Sequence, residues 1–198
     1  MTPLSPEEIL GLVGARHGHF RYESGLHGKL WLDLDLLFVD PTRVAKLAAV
    51  LASLLAPHKP DAICGPLVGG ALVAQIVAAQ LGCEMCFAER AADEGSGLYR
   101  ARYRVPHGQR ARLAGKRVAI VDDVISAGSS VRATFAELTG CGAVTVAAGC
   151  LLQMGEAATL WFAAHGIAVV ACAKTSVEMW PPEQCPLCAA GVTLETMA

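Results

Sequence analysis

Apolar positions in this chain fall into short dense runs, separated by glycine, proline and polar clusters. The runs 61–64, 84–88, 117–121, 143–152 and 167–171 are apolar at nearly every position. Runs of that kind read as strands buried on both faces. Between them, 71–81, 127–139 and 156–164 read as helices. Strands alternating with helices predict a doubly wound α/β fold with a mostly parallel, five-stranded sheet. Ahead of this rhythm, Ser5-Pro6-Glu7-Glu8 is a capping box that opens a helix running to about Gly14–Gly18. Residues 19–34 read as two short strands around a Ser24-Gly25 turn. A further helix is expected from Asp40-Pro41 to Ala56, ended by Pro57 and Pro60.

One segment breaks the rhythm. From Leu98 to Val105 the residues alternate strictly, with Arg100, Arg102 and Arg104 on one face and Tyr99, Ala101, Tyr103 and Val105 on the other. Pro106-His107-Gly108 reads as a turn, with Arg110 and Arg112 on the return. The expectation is a β-hairpin with one cationic face, which taken alone reads as a solvated edge guarded by charge.

Composition narrows the classes. The chain has 198 residues, 54% of them hydrophobic, which is ample for a core and excludes a disordered scaffold. The formal net charge of −2 argues against binding nucleic acid through bulk charge, and no helix-turn-helix segment is visible. The longest apolar runs are about half the roughly 20 residues a membrane span needs. The N-terminus carries no basic or apolar leader, so the cytoplasm is the expected compartment and no membrane partner is expected. Of eight cysteines, Cys64, Cys150 and Cys172 sit in apolar runs, where a reduced thiol behaves as a small hydrophobe.

The strongest chemical signal is Val118-Ala-Ile-Val-Asp122-Asp123-Val-Ile-Ser126-Ala127-Gly128-Ser129-Ser130. A buried strand ends in two carboxylates, and a small-residue loop then opens a helix. Such a loop aims several backbone N–H groups and the positive end of a helix dipole at one point, which suits a phosphate. The adjacent carboxylates suit sugar hydroxyls or a hydrated Mg²⁺. Together they point to a phosphorylated sugar. A second loop, Gly65-Pro66-Leu67-Val68-Gly69-Gly70-Ala71, again lies between a strand and a helix.

The first string resembles the signature of type I phosphoribosyltransferases, which use 5-phosphoribosyl 1-diphosphate (PRPP). Residues 61–90 and Glu23-Ser-Gly-Leu-His-Gly-Lys29 resemble the orotate branch, and the likeness covers roughly residues 19–155. It implies one domain: an N-terminal helix and hood (1–40), a core (58–175) with a hairpin flap, and a C-terminal cap (176–198). It implies that Asp122 and Asp123 bind the ribose hydroxyls and stabilise charge at C1′. Ser126, Ala127, Gly128, Ser129 and Ser130 would hold the 5′-phosphate. Leu67, Val68 and Gly69 would contact the diphosphate, with Arg90 also on PRPP and Mg²⁺ carried with it. Arg102 and Arg104 would act catalytically from the flap. His27, Lys29 and Trp31 would face the base. It also implies a homodimer, release of diphosphate, and orotate as the default acceptor. Two features depart from the orotate pattern. No lysine occurs between Arg90 and Lys116, and no arginine occurs in Leu151-Leu-Gln-Met-Gly-Glu156, where the branch places one for the base's carboxylate. A PRPP-binding regulator without transferase activity and a purine-type transferase are the alternatives.

Cys185-Pro-Leu-Cys188 is half of a tetrahedral Zn²⁺ set, or two incidental thiols in a proline-rich cap. Cys83 and Cys86 could complete the set, and a redox pair is a further option. His17 and His19 are read as surface or cap residues.

Overall fold

A computed structural model describes residues 6–92 and 97–196, with the Glu8 side chain left aside. Ser5 of the capping box lies outside the described residues. The chain opens with α1 (Pro6–Leu10), β1 (Gly14–Arg21) and β2 (His27–Asp33). A 3₁₀ turn over Leu34–Val39 leads into α2 (Pro41–Leu55), and β3 (Ala62–Pro66), α3 (Gly69–Leu81) and β4 (Glu84–Ala91) follow. Then come β5 (Arg102–Arg104), α4 (His107–Arg110), β6 (Arg117–Ile125), α5 (Ser129–Gly140) and β7 (Val144–Met154). The chain closes with α6 (Ala157–Ala163), β8 (Ala168–Thr175), β9 (Met179–Trp180), α7 (Pro186–Ala189) and β10 (Glu195–Thr196).

The strands form two sheets. The larger has the order β5-β4-β3-β6-β7-β8, in which all pairs are parallel except β4–β5. The sheet thus has the five expected parallel strands and a sixth, antiparallel strand at one edge. Alternation along the strands sorts the core. Ile63, Ala119, Val121 and Leu151 point to one face, under Val44, Leu47 and Leu51 of α2 and Val73 and Val77 of α3. Cys64, Val118, Ile120 and Cys150 point to the other, under Val131 and Leu138 of α5 and Phe162 of α6. Each face carries helices, as a doubly wound sheet requires.

The connection β3–α3–β4 moves to one side of β3, and β6 lies on its other side. The loops after β3 and β6 therefore diverge from neighbouring strands and open a crevice at their carboxyl ends. That switch point fixes where a ligand can sit.

The N-terminal part differs from expectation. Helix α1 ends at Leu10, and β1 begins at Gly14, five residues ahead of the expected strand. Strands β1 and β2 are the middle of a second sheet, β10-β1-β2-β9, whose outer strands come from the C-terminal segment. The register between β1 and β2 shifts between His17 and Phe20. The bulge sets His19 and Phe20 inward together, where strict alternation would have exposed one of them.

The cationic hairpin also takes another form. Its β5 strand pairs with β4, and the return containing Arg110 is a helix, not a strand. Glu137 on α5 explains this. Its carboxylate accepts from Val105 N (3.0 Å) and pairs closely with Arg110, drawing the chain toward α5.

Candidate active site

A cleft of about 400 Å³ opens at the switch point. Its floor is the end of β6, where Asp122 and Asp123 are 6% and 7% exposed. One wall is the loop after β3, with Leu67, Val68 and Gly69, and it contains a cis peptide between Leu67 and Val68. The opposite wall is Ser126 to Ser130. Tyr22, Glu23, Ser24 and Trp31 close it from the smaller sheet, and Tyr103 from β5.

Close approach explains the glycines after β3. A Cβ at Gly69 would lie 2.0 Å from Asp123 Oδ2, so any other residue would displace that carboxylate. The start of α3 can therefore abut the acids and bring its positive end to them. Across the cleft, Gly128 takes a left-handed conformation (φ +83°) as the residue preceding α5. It turns the chain so that the first N–H groups of α5 open toward the loop, with no side chain capping them. Ser129 Oγ in this loop is buried and has no hydrogen-bond partner among the described residues. A buried hydroxyl left in that state is costly unless a ligand meets it.

The two acids are tied down by short local bonds. Ser130 Oγ donates to Asp122 Oδ2 (2.7 Å), and Asp123 N donates to Asp122 Oδ1 (3.0 Å). Val124 N donates to Asp123 Oδ1 (2.7 Å). Burial raises both carboxyls above the usual range, Asp122 well above it, and the charge of Asp123 raises Asp122 further. Two buried carboxylates in mutual repulsion favour hydroxyl donors or positive charge arriving in the cleft.

Adjoining the cleft is an apolar recess of about 130 Å³, lined by Tyr22, Leu30, Trp31, Leu32, Leu34, Val124, Ser126, Met154 and Val177. Its lining among the described residues carries no charged side chain. Trp31 spans both spaces, and its indole N–H donates to Asp33 Oδ1 (3.0 Å).

The structure brings Asp122, Asp123, Leu67, Val68, Gly69, Trp31 and all of Ser126 to Ser130 around one space. Five other expected site residues do not line it. Arg102 and Arg104 lie on the exposed side of β5, because strand alternation turns Tyr103 inward and its neighbours outward. Arg90 pairs with Glu23 (3.4 Å). Lys29 pairs with Glu178 at the surface (2.7 Å). His27 packs instead against His19 and Cys188, since its register opposite Trp180 sets it beside the Cys185–Cys188 turn.

Tyr22 and Tyr103 also line the cleft, beyond the residues the sequence marks for it. Tyr103 is on the apolar side of the alternating strand, and that side is the one facing the cleft, with Arg102 and Arg104 on the other. Its hydroxyl donates to Glu23 Oε1 (3.0 Å), joining β5 to the turn between β1 and β2.

Comparison with known proteins agrees with this geometry. Residues 41–178 match the family model described as phosphoribosyl transferase domain. The chain is 31% identical over 176 residues to an orotate phosphoribosyltransferase of Heliobacterium modesticaldum, covering 88% of this chain and 85% of that one. It is 30% identical over 190 residues to the orotate phosphoribosyltransferase of Thermotoga maritima, covering 96% and 95%. The structure resembles orotate phosphoribosyltransferase from Aeropyrum pernix with a TM-score of 0.64 at 23% identity, covering 84% of this chain and 90% of that one. It also resembles adenine phosphoribosyltransferase from Thermoanaerobacter pseudethanolicus, with a TM-score of 0.67 at 19% identity, covering 85% and 99%. Residues 41–178, the span that the family model matches, contain the five parallel strands and both loops of the switch point, and this chain belongs to the phosphoribosyltransferase family.

Proposed function

We propose that the protein transfers the 5-phosphoribosyl group of PRPP to a nucleobase with release of diphosphate, and that orotate is the acceptor. The observation that carries this reading is the buried pair Asp122 and Asp123 facing the Ser126–Ser130 loop across one cleft. The orotate assignment is supported by the names of relatives about 30% identical over most of the chain.

In this reading the bond from C1′ to the diphosphate oxygen breaks and a bond from C1′ to a base nitrogen forms. The N–H groups at the start of α5 and the Ser129 hydroxyl hold the 5′-phosphate. Asp122 and Asp123 accept hydrogen bonds from the ribose hydroxyls, and their negative charge stabilises positive charge developing at C1′. Backbone groups of Leu67 to Gly69 bind the departing diphosphate. Trp31 and Tyr22 set the base plane. Tyr103 and Glu23 close the cleft from above and limit water at the reacting carbon.

The donor set also fits Mg²⁺, a hard cation that prefers carboxylate, hydroxyl and phosphate oxygens. When bound with PRPP it would neutralise the leaving diphosphate, and Asp122 and Asp123 are the residues that would hold it through the ribose. We assign a homodimer and a cytoplasmic setting to the same reading on the strength of the family resemblance.

A second acceptor class follows from the recess. The stretch Leu151-Leu-Gln-Met-Gly-Glu156 carries no arginine, Met154 of it lines the recess, and a carboxylated base loses its planar partner without such a cation. An uncarboxylated base fits the apolar lining better on this ground. The deciding experiment is diphosphate release with PRPP, Mg²⁺ and a panel of orotate, uracil, adenine, guanine and hypoxanthine. Turnover with orotate alone supports the first assignment, and turnover with another base alone supports the second. PRPP-dependent thermal stabilisation with no turnover on any base would leave a PRPP-binding regulator and overturn the transferase reading.

A further inference from the structure

Behind the smaller sheet, outside the cleft, four side chains converge from the two ends of the chain. His19 comes from β1, His27 from β2, Cys185 from the end of a 3₁₀ turn and Cys188 from α7. One nitrogen or sulfur from each lies within 4.8 Å of all the others. His19 Nε2 is 3.1 Å from His27 Nδ1, 3.4 Å from Cys185 Sγ and 3.6 Å from Cys188 Sγ. Cys188 Sγ is 3.3 Å from His27 Nδ1. A tetrahedral centre bonded to imidazole at about 2.0–2.1 Å and to thiolate at about 2.3 Å holds its ligand atoms roughly 3.3–3.8 Å apart. The four measured separations lie in that range or within a few tenths of an ångström of it.

Orientation adds a second observation. His19 Nδ1 sits 2.8 Å from the Val192 carbonyl, which can only accept, so Nδ1 carries the proton. Nε2 then offers its lone pair to the centre of the cluster. This is the outer contact that fixes the tautomer of a metal-bound histidine. His19, His27 and Cys185 are 1%, 4% and 4% exposed, and Cys188 closes the cluster on its solvent side.

We infer that His19, His27, Cys185 and Cys188 form a structural Zn²⁺ site. Two thiolates and two imidazoles select zinc over a hard cation such as Mg²⁺. Four protein ligands leave no open position, so the site holds structure and does no chemistry. Its place in the fold gives it a task. β9 and β10 contribute only two residues each, and a lone β1–β2 hairpin would be marginal in water. A metal bond between residues 166 positions apart ties the C-terminal segment onto that hairpin. The hairpin and its turn carry Tyr22, Glu23, Ser24 and Trp31 into the cleft, so the zinc fixes the roof over the base.

The test is metal content, which does not depend on the transferase reading. Full-length protein made under reductant and desalted should hold one zinc per chain by elemental analysis. Cys185→Ser with Cys188→Ser, and separately His27→Ala, should fall to near zero, while His17→Ala, at an exposed position outside the cluster, should keep one. Should those variants fail to fold, the unmutated chain decides. Stripped with a chelator and reloaded with Co²⁺, it should show tetrahedral thiolate–cobalt absorption saturating at one equivalent, and Zn²⁺ should raise its Tm. A stripped chain that takes up neither ion stoichiometrically, or a Cys185–Cys188 disulfide recovered from reductant-prepared protein, would overturn the assignment.

Discussion

The acidic strand end and its loop in the six-stranded sheet are built from neighbours in sequence, whereas the four-stranded sheet gathers its His–Cys cluster from opposite ends of the chain. Asp122, Asp123 and the Ser126–Ser130 loop occupy nine consecutive positions on one strand-to-helix turn. His19 and Cys185 meet only because β1 lies beside β10 and β2 beside β9. Local geometry builds the first device, since a strand end followed by a helix start already aims its N–H groups at one point. Long-range pairing builds the second, so its pattern along the chain carries little meaning until the strands are placed. In the proposed function the comparison also separates tasks: the larger sheet would grip sugar and phosphate, and the smaller sheet would cover the base.

The sharpest way to break this division is to neutralise the acids. Asp122→Asn with Asp123→Asn should lower kcat/KM on the order of 10³-fold, in line with the loss of a preorganised charged partner at a transition state. Stability should move the other way. A carboxyl whose native pKa is raised binds its proton more tightly folded than unfolded, so stability falls as pH rises from the usual carboxylate range toward the native value. The double variant removes that loss, and its Tm at neutral pH should equal or exceed that of the unmodified chain. Activity of the unmodified chain should decline on acidification with a midpoint above the usual carboxylate value. A Tm that drops by many degrees in the variant, with normal kcat/KM, would show that the pair is structural.

Next in size is Gly69→Ala. The new Cβ must displace the Asp123 carboxylate, and overpacking of this kind costs about 1–3 kcal/mol. Both kcat and KM for PRPP should suffer, which steady-state kinetics would read directly. Trp31→Ala tests the other region. Losing one aromatic–base stack is worth about 1–3 kcal/mol, so KM for the base should rise roughly tenfold or more while KM for PRPP holds steady. An equal rise in both constants would remove the division of labour between the sheets. The smallest effect is expected far from both devices, at Glu84. Its carboxyl is held down to about 2 by hydrogen bonds from Arg112 and Lys116, but Arg112 is exposed and Glu84 and Lys116 are only partly covered. Glu84→Gln should shift the Tm by no more than a degree or two at neutral pH, and kinetics should not change.

Much of the larger sheet was readable before folding. Apolar runs placed its parallel strands to within a few residues, because strands buried on both faces must be apolar throughout. The helix from Pro41 was legible from its cap, and Asp40 Oδ1 indeed accepts from Thr42 N and Arg43 N (3.1 and 3.2 Å). The flap was half legible. Alternation fixed which residues share a face, yet only packing against α5 decided that Tyr103 turns inward and the arginines outward. Helix α1 was overextended, since a good cap says where a helix starts and little about where tertiary pairing stops it.

Sequence by itself determined the small-residue loop over Ser126–Ser130, the paired acids and the layer architecture, since each follows from the order of neighbouring residues and the period of strands and helices. Only the tertiary structure decided that His27 lies outside the cleft, that His19 turns inward at a bulge, and that both meet Cys185 and Cys188. The physical reason is distance along the chain. A contact between partners 166 residues apart is fixed by strand register and sheet order, which no local pattern encodes.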